Sequence, residues 1–255
     1  MTGAFDGLPP REAPPKNTAA LNSFLNAAAK KNDQAVDRLG WLTGSALAEP
    51  WVPFELARTE IEVVENARTT NKPRRLYIQL KIRGQVFRKI KVEVSFSEGR
   101  IADEDERFTA PNLSAFGLGV PDEIAGITMA YQVAQKLHAC TDPDDPTPEG
   151  GGRPFFNDRV RDVVDLLLLR DVFFPAGSKL GAVRTAAEDV FAAREIEAQK
   201  LGLSPRIWPP ELISWQSWAE GWQKPADQAG ISISLDEALA TLKEWIEEIA
   251  RSREE

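Results

Sequence analysis

The sequence predicts an α+β fold in which a strand-bearing N-terminal half precedes a helical C-terminal half. Two changes of pattern carry that prediction. Before Gly99, two stretches alternate apolar and polar residues with a period of two; after it, apolar residues recur at three- and four-residue spacing. A chain of 255 residues with 42% hydrophobic content can also bury a substantial core, as one large domain or two packed lobes. The predicted organisation is a Pro- and Gly-rich disordered N-terminus over 1–16, a strand-bearing α/β lobe over 17–120 and a helical lobe over 121–255.

In the first lobe, Leu21, Phe24, Leu25 and Ala28 share one face of a helix beginning near Asn17. A turn at Gly44 and Ser45 follows, and "FELARTEIEVVEN" reads as one strand. Leu76, Ile78, Leu80 and Ile82 alternate with Tyr77, Gln79, Lys81 and Arg83, and Ile90, Val92, Val94 and Phe96 alternate with Lys89, Lys91, Glu93 and Ser95. With Gly84 between them, these stretches predict an antiparallel hairpin with one buried and one polar face.

In the second lobe, Pro121 and Asp122 are expected to start a helix running to about Ala139, with an apolar stripe of Ile124, Ile127, Ala130, Tyr131, Ala134 and Leu137. Asn157 or Asp158 is expected to cap a largely buried helix reaching about Phe173. A third helix spans Ala182 to Lys200. A linker with Trp208, Trp215, Trp218 and Trp222 leads to a last helix that opens with a Ser234–Glu237 capping box.

Composition excludes several function classes. One cysteine, Cys140, permits no internal disulfide, and one histidine, His138, permits no Cys/His zinc cluster, so any metal would be a hard ion held by carboxylates. No apolar run could span a bilayer, and "MTGAFDGLPPREAPPKN" lacks the pattern of a signal peptide, so a cytoplasmic location and no membrane partner are expected. The net charge of −8 argues against a protein that coats nucleic acid. Yet Lys72, Arg74, Arg75, Lys81, Arg83, Arg88, Lys89 and Lys91 form a local basic sector without an acidic residue, either a seat for phosphates or a solvated strand face.

By helix pattern alone Lys136, just outside the apolar stripe, reads as a surface lysine lying along apolar neighbours. In "NDRVRDVVDLLLL", Asp162 and Asp165 share a face by i, i+3 spacing. The helix dipole explains Asp162; Asp165, on an almost wholly apolar helix, needs a cation, so Lys136 or an arginine is expected beside it. His138 reads as a core histidine and Cys140 as a small buried residue. The ligand spacing of Asp142, Asp144 and Asp145 is wrong for a calcium loop, and "GLGVPDE" lacks the strand–turn–helix context of a phosphate-binding loop.

The segments "QVAQKLHA" and "NDRVRDVVDLLLL", with "FRKIKVEVSF" before them and "SWQSWAEGWQK" and "ISLDEALATLKEWIEEI" after, resemble the AbiEii/AbiGii nucleotidyltransferase toxin family from about Leu76 to the C-terminus. The resemblance implies a nucleotidyltransferase-like mixed or antiparallel sheet in the first lobe, and transfer of a nucleotide from an NTP to an RNA end, such as that of tRNA, or to a protein hydroxyl. It places the chain in a bacterial toxin–antitoxin or phage-defence system, with a cognate antitoxin as a possible partner. On it, Lys136 binds nucleotide phosphates, Asp162 or Asp165 is the acid that assists the reaction, and Glu93 is the third carboxylate of the sheet. Gly44, Ser45 and Lys91 join Lys136 at the nucleotide. Phosphoryl transfer calls for such cations, and for carboxylates that hold Mg²⁺.

The family's Gly-Ser turn precedes an Asp-x-Asp metal pair. Here Gly44 and Ser45 precede Glu60 and Glu62, so either glutamates replace that pair or the pair is absent. The alternative function is accordingly a catalytically degenerate binding or regulatory module with the same fold.

Overall fold

The structure, a computed structural model, describes residues 55–65, 67, 69–112, 122–145 and 154–253. The helix expected from Asn17, the turn at Gly44 and Ser45 and the N-terminal stretch 1–16 lie outside them. The chain divides into two compact units. One holds the described residues up to Ser97 together with those of 107–126; the other holds 98–106 and the described residues from Ile127 onward.

The first unit is built on β3 (Arg74–Ile82), which pairs antiparallel along its length with β4 (Gln85–Val94). Because β4 covers one edge of β3, both β1 (Glu55–Arg58) and β2 (Glu62–Val63) pair antiparallel with the other edge. The turn between β3 and β4 is Arg83 and Gly84, both at positive φ (50° and 75°), the two-residue geometry that suits the strand twist and that Gly84 enters without strain. "FELARTEIEVVEN", expected as one strand, is two. At the break the Tyr77 N–H donates to the Thr59 hydroxyl (3.0 Å) while the Thr59 N–H still donates to the Tyr77 carbonyl, so a side chain interrupts the ladder.

The hairpin's buried face is narrower than alternation predicts. Leu76 is fully buried, but Ile90 and Val86 remain 46% exposed, because β4 has no further strand beside it among the described residues. β5 (Glu106–Thr109) and β6 (Glu123–Gly126) form a separate two-stranded ladder. The helix expected to start at Asp122 therefore begins later. Gly126 backs so closely on Phe108 that a Cβ there would lie 2.8 Å from the ring, and Thr128 caps the helix that follows.

The second unit packs α1 (Met129–Cys140), α2 (Val160–Phe173), α3 (Gly181–Lys200) and α6 (Leu235–Arg251), with short helices α4 (Gln216–Gly221) and α5 (Gln223–Gln228) in the tryptophan-rich segment. One core joins them through Leu137, Val163, Leu166, Phe191, Trp218, Leu242 and Ile249. Trp218 and Trp222, from the tryptophan-bearing linker, are buried. The α6 capping box is formed: Ser234 accepts from the Glu237 N–H, and Glu237 accepts from the Ser234 N–H. α2 buries six of its residues but leaves Leu168, Val172 and Phe173 exposed, so the helix expected to be largely buried is buried only in part.

Candidate functional site

Lys136 lies in the second half of α1, on the border of the face that buries Val133, Leu137 and Cys140. Asp162 and Asp165 occupy the first two turns of α2. Packing of the two helices brings all three together: Lys136 Nζ donates to Asp162 Oδ1 at 2.8 Å and to Asp165 Oδ2 at 2.6 Å. The cation that a carboxylate on this helix requires is thus Lys136, and the surface-lysine reading of the helix pattern is set aside.

The two carboxylates are not equivalent. The Asp162 side chain is 15% exposed and has Arg159 Nη1 at 3.9 Å as a second cation; Asp165 is 47% exposed. Burial pulls the Lys136 pKa down, but the hydrogen bonds and charges of Asp162 and Asp165 outweigh it, and the ammonium ends above its ordinary value. The lysine therefore stays charged, with its donors aimed at oxygen anions, and a phosphate approaching from solvent would compete with Asp165 before Asp162.

The turns carrying these residues are anchored by groups that carry no such role in the sequence analysis. Asn157 is not the helix cap: Arg159 takes the N-cap position, with no side-chain cap bond. Asn157 is instead fully buried two residues earlier, where its Oδ1 accepts from the Arg159 N–H. At the end of α1, Arg206 Nη1 donates to the His138 carbonyl (2.6 Å), which also accepts from the Thr141 hydroxyl, and Trp215 Nε1 donates to the Cys140 carbonyl (3.3 Å). An arginine and a tryptophan more than sixty residues downstream carry no sequence signal for this role. His138 is a core residue, its ring edge-on to Phe191 at 4.9 Å. Burial drives its pKa down to about 2, aided by Arg206 and Arg194, so it is neutral. Burial also pushes the Cys140 thiol far above its ordinary range, which makes it inert.

In the sheet unit the nominated residues are differently placed. Glu93 Oε1 accepts from Arg75 Nε at 2.6 Å, and Lys91 Nζ stands 3.6 Å from the same oxygen. The Arg75 hydrogen bond is the main cause that lowers the Glu93 pKa; burial opposes it, and the charges of Arg75 and Lys91 add to the lowering. Glu62 is the partner of Arg75 on the other side, so Glu62, Arg75 and Glu93 form one cross-strand row with the arginine between two acids. Glu60 is exposed between β1 and β2. Gly44 and Ser45 lie outside the described residues.

Nor does the basic sector form a single face. Lys89 and Lys91 stand opposite Gln79 and Tyr77, on the side of Arg75, whereas Arg88 stands opposite Leu80 on the apolar side and Lys72 Nζ donates to the Ala67 carbonyl (2.7 Å). Among the described residues no three His, Cys, Asp or Glu side chains are grouped to hold a metal ion. Glu93, with Arg75 on its oxygen, does not fit the part of a free metal ligand, and the described carboxylates as a set do not fit a magnesium centre.

Comparison with known families matches residues 29–245 to the model described as nucleotidyl transferase AbiEii toxin, type IV TA system. That span begins well before Leu76, where the legible motifs start, and takes in Gly44, Ser45, Glu60 and Glu62. A comparison with curated proteins finds no match. No helix among the described residues is long and apolar enough to cross a membrane.

Proposed function

The chain belongs to the AbiEii nucleotidyltransferase toxin family of type IV toxin–antitoxin systems, and from that premise we propose that it transfers a nucleotide from an NTP to an RNA end, tRNA included, or to a protein hydroxyl. The observation that carries this reading is the Lys136 ammonium held between Asp162 and Asp165. In the proposed step the acceptor hydroxyl oxygen bonds to the α-phosphorus, the bond from that phosphorus to the bridging oxygen breaks, and pyrophosphate leaves. Lys136 meets the negative charge of the phosphates, and the more exposed Asp165 takes the hydroxyl proton. Asp162 keeps the lysine oriented. Magnesium would arrive with the triphosphate and supply charge neutralisation; the described carboxylates do not hold it alone.

Lys91 and Lys89, side by side on the polar face of the hairpin, support phosphate contact there. If RNA is the acceptor, charge reversal at Lys81, Arg83 and Lys89 should weaken its binding and flatten the salt dependence; unchanged binding would count against RNA at this face. A cognate antitoxin and a role in phage defence belong to the same reading, as does action in the cytoplasm. The test is a transfer assay with labelled NTPs, Mg²⁺ and bulk tRNA or lysate protein as acceptor, comparing wild type with Lys136→Ala and Asp165→Asn. Label transferred by wild type and lost in both variants is the expected result.

One observation favours a second reading, a binding module that keeps the fold without the transfer. Arg75 already provides the positive charge between the sheet carboxylates that a metal would otherwise provide. Calorimetry separates the two: nucleotide affinity that depends on Mg²⁺ supports the enzyme, and affinity that does not supports the module.

A further inference from the structure

We infer that Asn157 is the positioning residue of the Lys136–Asp162–Asp165 cluster, a single buried amide that sets the turn bearing the ammonium against the turn bearing the carboxylates. What the cluster does rests on the function proposed above; how it is held does not.

The last carbonyls of an α-helix lack partners within it, and so do the first N–H groups of the next. Asn157 joins one set to the other. Its Nδ2 shares two N–H donors among the carbonyls of Ala139 (3.1 Å), Cys140 (3.3 Å) and Asp142 (2.7 Å), at and just beyond the end of α1. Its Oδ1 accepts from the Arg159 N–H (2.9 Å) at the start of α2. The opposite orientation of the amide would set its oxygen against three carbonyl oxygens and its nitrogen against an N–H, so the chemistry of the neighbours fixes which end is which. Its main chain is held as firmly. The N–H donates to Asp144 Oδ1 (2.6 Å), and the carbonyl accepts from Ser217 Oγ (3.0 Å) and Trp218 Nε1 (2.9 Å).

Geometry makes this a positioning device for the site. Lys136 stands three residues before Ala139, and Asp162 three residues after Arg159, about one helical turn from each end of the Asn157 bridge. The Lys136–Asp165 pair cannot fix the spacing by itself: Asp165 is nearly half exposed, and exposed pairs are weak and screened. Asn157 is fully buried and joins these groups from one side chain, so water does not replace the bonds it gives up, although the Ala139 carbonyl also accepts from the Asp142 N–H (3.3 Å) and the Cys140 carbonyl from Trp215 Nε1 (3.3 Å).

The test reads the Lys136 amine directly. The full-length protein is treated briefly with an acetylating reagent, and each lysine's modification is followed by mass spectrometry, with Lys179, Lys200 and Lys243 as internal controls. In wild type, Lys136 should react slowly. In Asn157→Ala it should react at least about fivefold faster, as expected for a locally loosened site, while the controls and the tryptophan fluorescence stay unchanged. A folded Asn157→Ala protein in which Lys136 is as protected as in wild type would overturn the inference.

Should Asn157→Ala fail to fold, Asn157→Ser keeps one donor in place, and the same selective rise or its absence decides the matter. Adding Mg·NTP separates this inference from the function on which it bears. Shielding of Lys136 in wild type that weakens in the Asn157 variant supports both. No shielding in wild type counts against nucleotide binding at Lys136 and leaves the acetylation contrast to judge Asn157.

Discussion

Each unit pairs a basic side chain with carboxylates, in opposite surroundings. In the helical unit, Lys136 is 25% exposed between two aspartates on a neighbouring helix, and both helix ends are tied by Asn157, Arg206 and Trp215. In the sheet unit, Arg75 and Glu93 are 33% and 38% exposed and meet because adjacent strands place them in register. The first arrangement is held by packing and by buried hydrogen bonds, so its field is aimed before any ligand arrives. The second is held by strand pairing and faces water, so it is screened and replaceable. Preorganised charge is the kind that speeds phosphoryl transfer, and on the function proposed above the working groups are those of the helical unit.

The largest expected effect follows directly. Lys136→Ala should lower transfer by at least about 100-fold, the scale of losing one positioned electrostatic donor. The proper comparison is Lys91→Ala, which removes an exposed cation of the sheet unit and should cost transfer less than about tenfold. Equal losses in the two variants would erase the distinction between the units.

Next in size is the acid response. The His138 pKa falls from its ordinary 6.5 to about 2 on folding, so the unfolded chain takes up a proton that the folded chain refuses. The stability tied to this residue is complete above pH 6.5 and is lost as pH falls below it, by up to about 1.4 kcal/mol per pH unit. Urea titrations between pH 7 and pH 5 should show that fall in wild type and a flatter profile in His138→Gln. Parallel profiles would mean that His138 is charged in the folded protein.

A finer contrast lies inside the helical cluster. Asp162 has two cations near it and little exposure, whereas Asp165 has Lys136 and solvent. Asp162→Asn should cost about 1–2 kcal/mol of stability and Asp165→Asn less than about 0.5 kcal/mol, measured by urea unfolding. Transfer should be lost in the Asp165 variant without a matching loss of stability, as expected of a group that meets substrate. The reverse pattern would exchange the two roles.

These residues also show what a sequence can disclose. That Asp165 needs a cation follows from one carboxylate on an otherwise apolar helix, a local pattern with a physical requirement, and Lys136 satisfies it. The hairpin and the Ser234 capping box were legible for the same reason: turn and cap chemistry reside in adjacent residues. Asn157 was legible only as a cap, because its bonds to carbonyls 15 to 18 residues earlier leave no periodic trace. The strand Glu123–Gly126 reads as helix in the sequence because Ile124, Ile127 and Ala130 match helical spacing, while the pressure that fixes it, the ring of Phe108 on Gly126, comes from another strand. The Arg75–Glu93 pair likewise depends on a strand register that alternation alone does not specify.

The smallest expected effect bears on that pair. Glu93 has its pKa lowered chiefly by the Arg75 hydrogen bond, so its contribution to stability is present above its ordinary 4.5 and is lost as pH falls through the lowered value. Since both partners are about a third exposed, Arg75→Ala should change stability by less than about 1 kcal/mol and by still less in high salt. The informative readout is therefore the Glu93 carboxyl resonance, titrated by NMR in both proteins. Its midpoint should rise in Arg75→Ala, and divalent ion added at neutral pH should perturb it more than in wild type, because the arginine no longer sits on the oxygen that the ion would need. If manganese broadens that resonance equally with Arg75 present, the row of Glu62, Arg75 and Glu93 yields its cation freely, and the sheet unit would be as ready for metal as the helical unit is for phosphate.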